Sequence, residues 1–225
     1  MINKLWLAAV ALLVAGCGEQ NASAPAPASP EIPATVAAMP PRGPLPAPDL
    51  EVHPDFGIAT RRGILSIGQS LDQAYSIFAE PPGSFEQSEL PPSISAPFEA
   101  RGWQKQGEGF GAILYNGRVA GALYQLDNVK GDRVDEFLTL QRNAFGKEDR
   151  PLISKHVSYW FWNRGKNGQP SPDVLMVCAS ELSPGLYHLS ISTGTRAVMQ
   201  ALGMSEDAAS RDSRRTGDLL EKQKG

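Results

Sequence analysis

Residues 110–125 read FGAILYNGRVAGALYQ, with an apolar run on either side of Asn116-Gly117. Asn and Gly both tolerate the positive φ angles that a two-residue type I′ turn requires. Because the turn lies between two runs that can form strands, this stretch predicts a β-hairpin. We therefore expect antiparallel sheet in the fold.

The sequence after the hairpin continues with one helix and three strands. A helix is predicted from about Arg133 to Phe145, with Asp132 as its N-cap and Gly146 ending it. Turns rich in Gly, Pro and Asn separate the elements that follow. These are strands at 156–162, 174–179 and 186–192 and a short helix at 196–202.

A helix is also predicted before the hairpin. Ser70 and Gln73 have the spacing of a capping box, and apolar residues follow at helical intervals. Helix followed by strands thus occurs twice, which indicates an α+β domain over residues 61–204. We expect the helices to pack on one face of an antiparallel sheet. The two halves, 64–126 and 133–193, are a possible tandem repeat, although their sequences are not alike.

The run Tyr159-Trp160-Phe161-Trp162 is the most distinctive internal feature. Alternate residues of a strand face opposite ways, so each Trp faces away from its aromatic neighbours. One aromatic pair is expected in the core. The other pair would lie on an open sheet face and, because Trp is enriched at binding hot spots, would contact a partner. Burial of both pairs is the competing interpretation. The candidate partner-binding residues are Trp160, Trp162, Trp103 and His188.

The residues that could carry catalysis or bind a metal are few. His156 and His188 fall on predicted strands, but two histidines supply at most half of a zinc site. The glycine-rich stretch 107–111 leads into a strand rather than a helix, which favours a turn over a phosphate-binding loop. We therefore predict no enzyme activity, no cofactor and no metal. A net charge of -3 also gives no indication of nucleic-acid binding.

The N-terminus has the layout of a secretory signal peptide: Lys4, an apolar run from Leu5 to Ala15, and a small-residue site. As a helix the run would be about 16 Å long. A bilayer core is about 30 Å thick, so the run is too short to span it. Residues 1–16 are therefore predicted to be removed.

Val14-Ala15-Gly16-Cys17 resembles the lipobox of bacterial lipoprotein precursors. The resemblance implies cleavage after Gly16 and acylation of Cys17, with the acyl chains holding the protein in a membrane. In that family, Asp directly after the cysteine retains proteins at the inner membrane. This chain has Gly18 there, which favours a location at the outer membrane, facing the periplasm. A secreted protein with an incidental cysteine is the alternative. With Cys17 acylated, Cys178 is the one remaining cysteine and is expected to be buried.

Both ends of the chain have the composition of unfolded segments. Residues 17–60 are rich in Ala and Pro, which favours an extended tether, whether a spacer or a passive linker. Residues 205–225 are charged and lack apolar periodicity, so we expect a disordered tail.

Residues 65–81, LSIGQSLDQAYSIFAEP, resemble the opening of small outer-membrane lipoproteins of the SmpA/OmlA (BamE) type. The doubled helix-plus-strands order is similar to β-lactamase-inhibitor-protein-like folds. Both resemblances imply a domain that binds other proteins. The sequence departs from them at Ala79-Glu80, where Gly-x is expected, and in lacking the cysteine pairs of the inhibitor proteins.

Together these features favour a lipid-anchored protein-binding module of the bacterial envelope, acting in envelope assembly or as a scaffold. An inhibitor or immunity lipoprotein that neutralises an exported toxin or enzyme is the alternative. An envelope enzyme is the third and least supported class. The expected partners are the membrane and a protein, with neither nucleic acid nor a small-molecule substrate.

Overall fold

A computed structural model describes residues 45–50, 54–90, 93–154, 156–165 and 167–211. The predicted signal peptide, Cys17, most of the tether and residues 212–225 lie outside the described residues. No helix among the described residues is long and apolar enough to cross a bilayer. Residues 206–211 are helical, and the other elements are β1 (Gly57–Thr60), β2 (Gly63–Ser66), α1 (Leu71–Phe78), β3 (Glu86–Ser88), β4 (Phe98–Lys105), β5 (Glu108–Tyr115), β6 (Arg118–Lys130), α2 (Gly131–Phe145), β7 (Arg150–Ile153), β8 (Val157–Arg164), β9 (Pro170–Ser183), β10 (Leu186–Thr195) and α3 (Arg196–Ala201).

The fold is α+β, as the sequence predicts, and is dominated by one antiparallel sheet. Its eight strands lie in the order β3-β4-β5-β6-β10-β9-β8-β7, and β1 and β2 form a separate hairpin. The element order is the same in both halves: α1 precedes the meander β3 to β6, and α2 precedes the meander β7 to β10. The last strand of each meander, β6 and β10, pair at the centre of the sheet.

The local signals in the first half are confirmed. Asn116 and Gly117 have φ angles of 51° and 74° and join β5 to β6, with Tyr115 opposite Arg118. At the start of α1, the Ser70 hydroxyl accepts a hydrogen bond from the backbone N–H of Gln73. The Gln73 side chain accepts one from the Ser70 N–H in return. The capping box therefore sets the beginning of the helix.

The predicted N-cap of α2 is wrong. The helix begins at Gly131 and its N-cap is Lys130, without a side-chain cap. The reason is that β6 runs to Lys130 and passes directly into the helix, so Asp132 lies inside the first turn. There its carboxylate accepts a hydrogen bond from the Arg133 N–H. Gly146 ends the helix as predicted, and its N–H donates to the carbonyl of Arg142 at 2.8 Å.

One face of the sheet, called the first face, is covered by α1, α2 and the β1–β2 hairpin. Its buried residues include Phe110 of β5, Tyr124 of β6, Trp162 of β8 and Phe137 of α2. The opposite, second face carries a separate cluster. That cluster contains Val157, Phe161, Met176, Met199 of α3, Met204 and Ala209.

The expectation that all helices lie on one face is therefore wrong for α3. Thr195 ends β10 and caps α3 with its hydroxyl, so the chain turns onto the second face directly from a central strand. The apolar second-face residues of β8 and β9 require cover, and Met199 supplies part of it. The expected disordered tail is wrong for residues 206–211, which are helical and bury Ala209 in the same cluster.

The folded part begins earlier than residue 61. Ile58 of β1 is completely buried, and the N–H of Phe56 donates to the buried carboxylate of Asp173 at 2.9 Å. The predicted tether is therefore wrong for residues 56–60. The proline-rich composition ends before them, and their alternation of Gly, Ile, Ala and Thr is too short to separate from a loop by sequence.

Candidate interaction surface

The aromatic run alternates between the two faces as predicted. Trp160 and Trp162 pack with the first-face cluster, whereas Tyr159 and Phe161 belong to the second-face cluster. Trp162 is 1% exposed, and its indole N–H donates to the Gly146 carbonyl at 2.8 Å. Trp162 is thus buried and Trp160 half-buried under the first-face elements, and the expectation that this pair lies on an open sheet face is wrong.

The other two candidate residues lie apart from that pair. Trp103 of β4 is 7% exposed and packs in the first-face cluster. His188 of β10 lies on the second face, between the first-face residues Tyr187 and Leu189. The structure therefore does not bring the four candidates together. Of the four, His188 remains accessible on the second face, and Trp160 is half-buried on the first.

His188 forms a pair with Asp127. Its Nδ1 lies 2.5 Å from an Asp127 carboxylate oxygen, and their side chains are 20% and 47% exposed. Asp127 reaches the histidine because the β6–β10 register shifts between Tyr187 and Leu189. The pair therefore depends on an irregularity that no sequence signal indicates.

His156 pairs elsewhere, with its Nδ1 3.2 Å from a carboxylate oxygen of Glu181. The two histidines thus contact different carboxylates. In the part of the chain that the structure describes, no three His, Cys, Asp or Glu residues are grouped to hold a metal ion. Cys178 is buried, as predicted.

A polar strip that the described residues leave partly exposed lies around His188. Gly107 has a φ of 73° in the turn between β4 and β5, which confirms a turn there. Gly109 of β5 falls on the second face, and a Cβ there would be 3.8 Å or more from its described neighbours, so these residues leave room above the strand. Gln104 is exposed and Gln125 is half-buried beside it. We call Gln104, Gly109, Gln125, Asp127 and His188 the open strip.

Polar and charged groups of the first face form hydrogen bonds and ion pairs with one another. Burial raises the pKa of Tyr124. The Tyr124 hydroxyl also donates to a carboxylate oxygen of Glu108, and this hydrogen bond raises the pKa of Tyr124 further. The Arg142 guanidinium donates two hydrogen bonds of 2.9 Å to Glu148 and lowers the pKa of that carboxyl. Arg133 likewise lowers the pKa of Glu136. These contacts fix α2 and its neighbours.

A second feature of the second face is an apolar cluster against which Leu45 and Leu50 pack. Phe98, Ala120, Val198 and Ile94 are buried there, and Ile113 and Tyr115 are half-buried and pack against them. We call these six residues the Phe98 cluster. Gly68 permits the approach, since a Cβ on it would lie 2.6 Å from the Leu50 carbonyl oxygen.

The Phe98 cluster and the open strip lie on the same face of the sheet. Ile113 and Gly109 lie on the same face of β5, four residues and about 13 Å apart. The strip offers amides, an imidazole and a carboxylate, and the half-buried Ile113 and Tyr115 add apolar and aromatic side chains on the same face. Together they provide the polar and apolar contacts that protein interfaces combine.

Comparison with known proteins does not assign a function to this surface. The chain matches no protein-family model, and no curated protein or solved structure is significantly similar to it. The resemblances to lipoprotein precursors and to small binding domains therefore rest on the residues quoted above.

Proposed function

We propose that the chain is a lipid-anchored protein-binding module of the bacterial envelope. Its anchor is Cys17, acylated after cleavage behind Gly16, and its place is the periplasmic side of the outer membrane. The apolar run from Leu5 to Ala15, too short to span, and the lipobox after it support the anchor. The Ala- and Pro-rich residues that follow support a spacer between anchor and domain.

The observation that carries the binding role is the open strip on the second face. The central strands β5, β6 and β10 contribute Gly109, Gln125 and His188 to it, and these positions remain partly accessible. Amide side chains and a His–Asp pair can donate to and accept from a partner's backbone and side chains. A rigid sheet presents them with little loss of conformational entropy, which favours association.

We further propose that residues 64–126 and 133–193 are duplicated units. The shared order of one helix and four meandering strands supports this, as does the antiparallel pairing of the two last strands. Joining two such units makes a second face wider than either unit alone, and the open strip crosses the junction between β6 and β10.

The anchor and the binding role are tested with separate measurements on the full chain. Metabolic labelling with a radioactive fatty acid should label the wild type and not Cys17→Ser. For binding, the full chain is crosslinked in intact cells, and a Gln125→Arg, His188→Glu double variant is compared with Asn143→Arg, an exposed position on α2. We expect the strip variant to lose its crosslinked protein while the α2 variant keeps it. Equal crosslinking by both would contradict the proposed site.

An inhibitor or immunity lipoprotein is the second candidate. The topology of two helix-plus-meander units on one sheet favours it, because the resemblance to inhibitor-protein-like folds implies that arrangement. The identity of the crosslinked protein separates the candidates. Components of envelope-assembly machinery support the scaffold, whereas one toxin or enzyme bound in equal amount supports the inhibitor.

A further inference from the structure

We propose that the second-face cluster contains a binding site for a soft, monovalent metal ion, copper(I), formed by Met176, Cys178, Met199 and Met204. We call these four residues the sulfur site. Within the part of the chain that the structure describes, every Met and Cys belongs to this one cluster. The larger first-face cluster, as far as it is described, contains neither residue. A copper site would be a property separate from the proposed protein binding and does not depend on it.

The sheet supplies two of the sulfur side chains. Met176 and Cys178 are two residues apart on β9, so their side chains leave the same face of the strand, with Cα atoms about 7 Å apart. They are 7% and 1% exposed. On β10 they lie opposite Ser192 and Ser190, which are also buried. Both sulfur side chains therefore point to the side of the sheet that α3 covers.

The cover of the second face supplies the other two sulfur side chains. Met199 lies on α3, and the N–H of Met204 donates to the Met199 carbonyl at 2.8 Å in the turn that follows. The Met199 thioether comes close to the sheet at Gly194, where a Cβ would lie 3.2 Å from its Sδ. Gly194 is the next residue after Ser192 on this face of β10, and Ser192 lies opposite Met176. A metal between sheet and cover would thus be bound from both sides.

The donor set fits a monovalent soft ion. Thioether and thiolate ligands select copper(I), whereas carboxylates and imidazoles suit divalent ions. Copper(I) would displace the proton of the Cys178 thiol into solvent, so that one positive ion is balanced by one thiolate. The net charge of the sulfur site then stays at zero. Zinc(II) on the same ligands would leave a positive charge in apolar surroundings, which is costly.

A buried hydroxyl among these side chains also points to a bound group. Ser192 is 1% exposed, and its Oγ has no hydrogen-bond partner among the described residues. It lies directly opposite Met176 and diagonal to Cys178 on the second face. A buried hydroxyl without a partner is unfavourable. The thiolate that copper(I) creates on Cys178 would supply an acceptor for it on the same face.

The test measures the copper(I) affinity of the full chain. All chains carry Cys17→Ser, because the Cys17 thiol would bind copper by itself. Copper(II) is reduced anaerobically with ascorbate, and the chain competes for the ion with a chromogenic copper(I) chelator. We expect one ion per chain, with affinity at least about tenfold weaker in Met176→Leu and at least about 100-fold weaker in Cys178→Ala. Met39→Leu, outside the described residues, is the matched control and should bind as the Cys17→Ser chain does.

Thermal unfolding gives a second measurement. Copper(I) at about 100 times its dissociation constant should raise the unfolding midpoint by at least about 5 °C, because it joins sheet and cover. Excess zinc(II) should not displace it. No copper(I) binding by the folded chain would overturn the proposal. Equal affinities of Met176→Leu, Cys178→Ala and the Cys17→Ser chain would do so as well, as would displacement by zinc(II).

Silver(I) keeps the test decisive should the variants fail to fold. It is a soft monovalent ion that ascorbate is not needed to maintain, and it is titrated into the Cys17→Ser chain labelled with carbon-13 at the Met methyl groups. The methyl signals of Met176, Met199 and Met204 should shift up to one equivalent of silver(I), while those of Met1 and Met39 stay in place. Shifts confined to Met1 or Met39 would overturn the sulfur site.

Discussion

The side-chain amide of Gln141 on α2 bonds both backbone groups of Ala59 on β1. Its oxygen accepts from the Ala59 N–H at 2.9 Å, and its nitrogen donates to the Ala59 carbonyl at 2.8 Å. The Gln141 side chain is completely buried. One side-chain amide thus forms the hydrogen bonds that a strand would form on the edge of β1 that does not pair with β2. It joins the start of the domain to α2.

Replacing Gln141 with Leu should lower the free energy of unfolding by about 3 kcal/mol. The reason is that both buried backbone groups of Ala59 lose their partner, at about 1–3 kcal/mol for each unsatisfied group. Urea titration followed by circular dichroism measures the change. Asn143→Leu, at an exposed position on the same helix, is the control and should stay within about 0.5 kcal/mol of the wild type. Equal effects at the two positions would contradict the role of Gln141.

The Arg142–Glu148 pair predicts a dependence of stability on acid pH. The guanidinium holds the pKa of Glu148 below its ordinary value of 4.5. The stabilisation is therefore fully present above that value and is lost as the pH falls through the lower pKa of the folded protein. The difference in unfolding free energy between wild type and Glu148→Gln should be constant at neutral pH and shrink below about pH 4.5. Urea titrations over a pH series would refute this if the difference did not change on acidification.

Tyr124 predicts the opposite dependence, at alkaline pH. Burial and the hydrogen bond to Glu108 raise the pKa of Tyr124 above its ordinary value of 10.0. Above that pH the unfolded chain loses the proton while the folded chain keeps it, so stability falls as the pH rises. Tyr124→Phe should flatten this decline. Tyr187→Phe, at a half-buried position on β10, serves as the comparison. Equal alkaline slopes for wild type and Tyr124→Phe would disprove the assignment.

Trp162→Ala should unfold or severely destabilise the domain rather than weaken a contact with a partner. The indole is buried and bonded to Gly146, and removal of a buried Trp costs about 3–5 kcal/mol. Thermal unfolding of the purified chain measures the loss, and Trp162→Phe should retain more of the stability. A folded Trp162→Ala variant that loses only its partner would restore the tryptophan interface that the structure argues against.

The sequence predicts those elements whose signals are local. The capping box of Ser70 and Gln73 and the turn at Asn116-Gly117 each involve neighbouring residues, so the start of α1 and the β5–β6 hairpin follow directly. Strand β4 was not predicted because charged residues and Gly102 interrupt its apolar pattern, and β7 contains Pro151. Both are strands because β5 and β8 pair with them, which is a tertiary effect.

The candidate surface was harder to predict than the fold. The alternation of side chains along β8 places Trp160 and Trp162 on the same face of the sheet, but it does not indicate which face of the sheet stays exposed. That depends on α3 and residues 206–211, whose short and weakly apolar sequences give little indication that they cover the second face. The pairing of His188 with Asp127 depends on a register shift. The sequence analysis interpreted the glycines at 107–111 only as a turn, whereas Gly109 lies within β5 and leaves room above the strand.

Site-specific photocrosslinking from the open strip tests the central claim most directly. A benzoyl-phenylalanine is placed at Gln104 in the full chain, and at Asn143 on α2 as the control, and the membrane fraction is irradiated. We predict one protein adduct from position 104 and none from position 143, with the Gln104 adduct lost from the membrane fraction in Cys17→Ser. Absence of any adduct at position 104, or equal adducts at both positions, would contradict a lipid-anchored module that binds its partner through the second face.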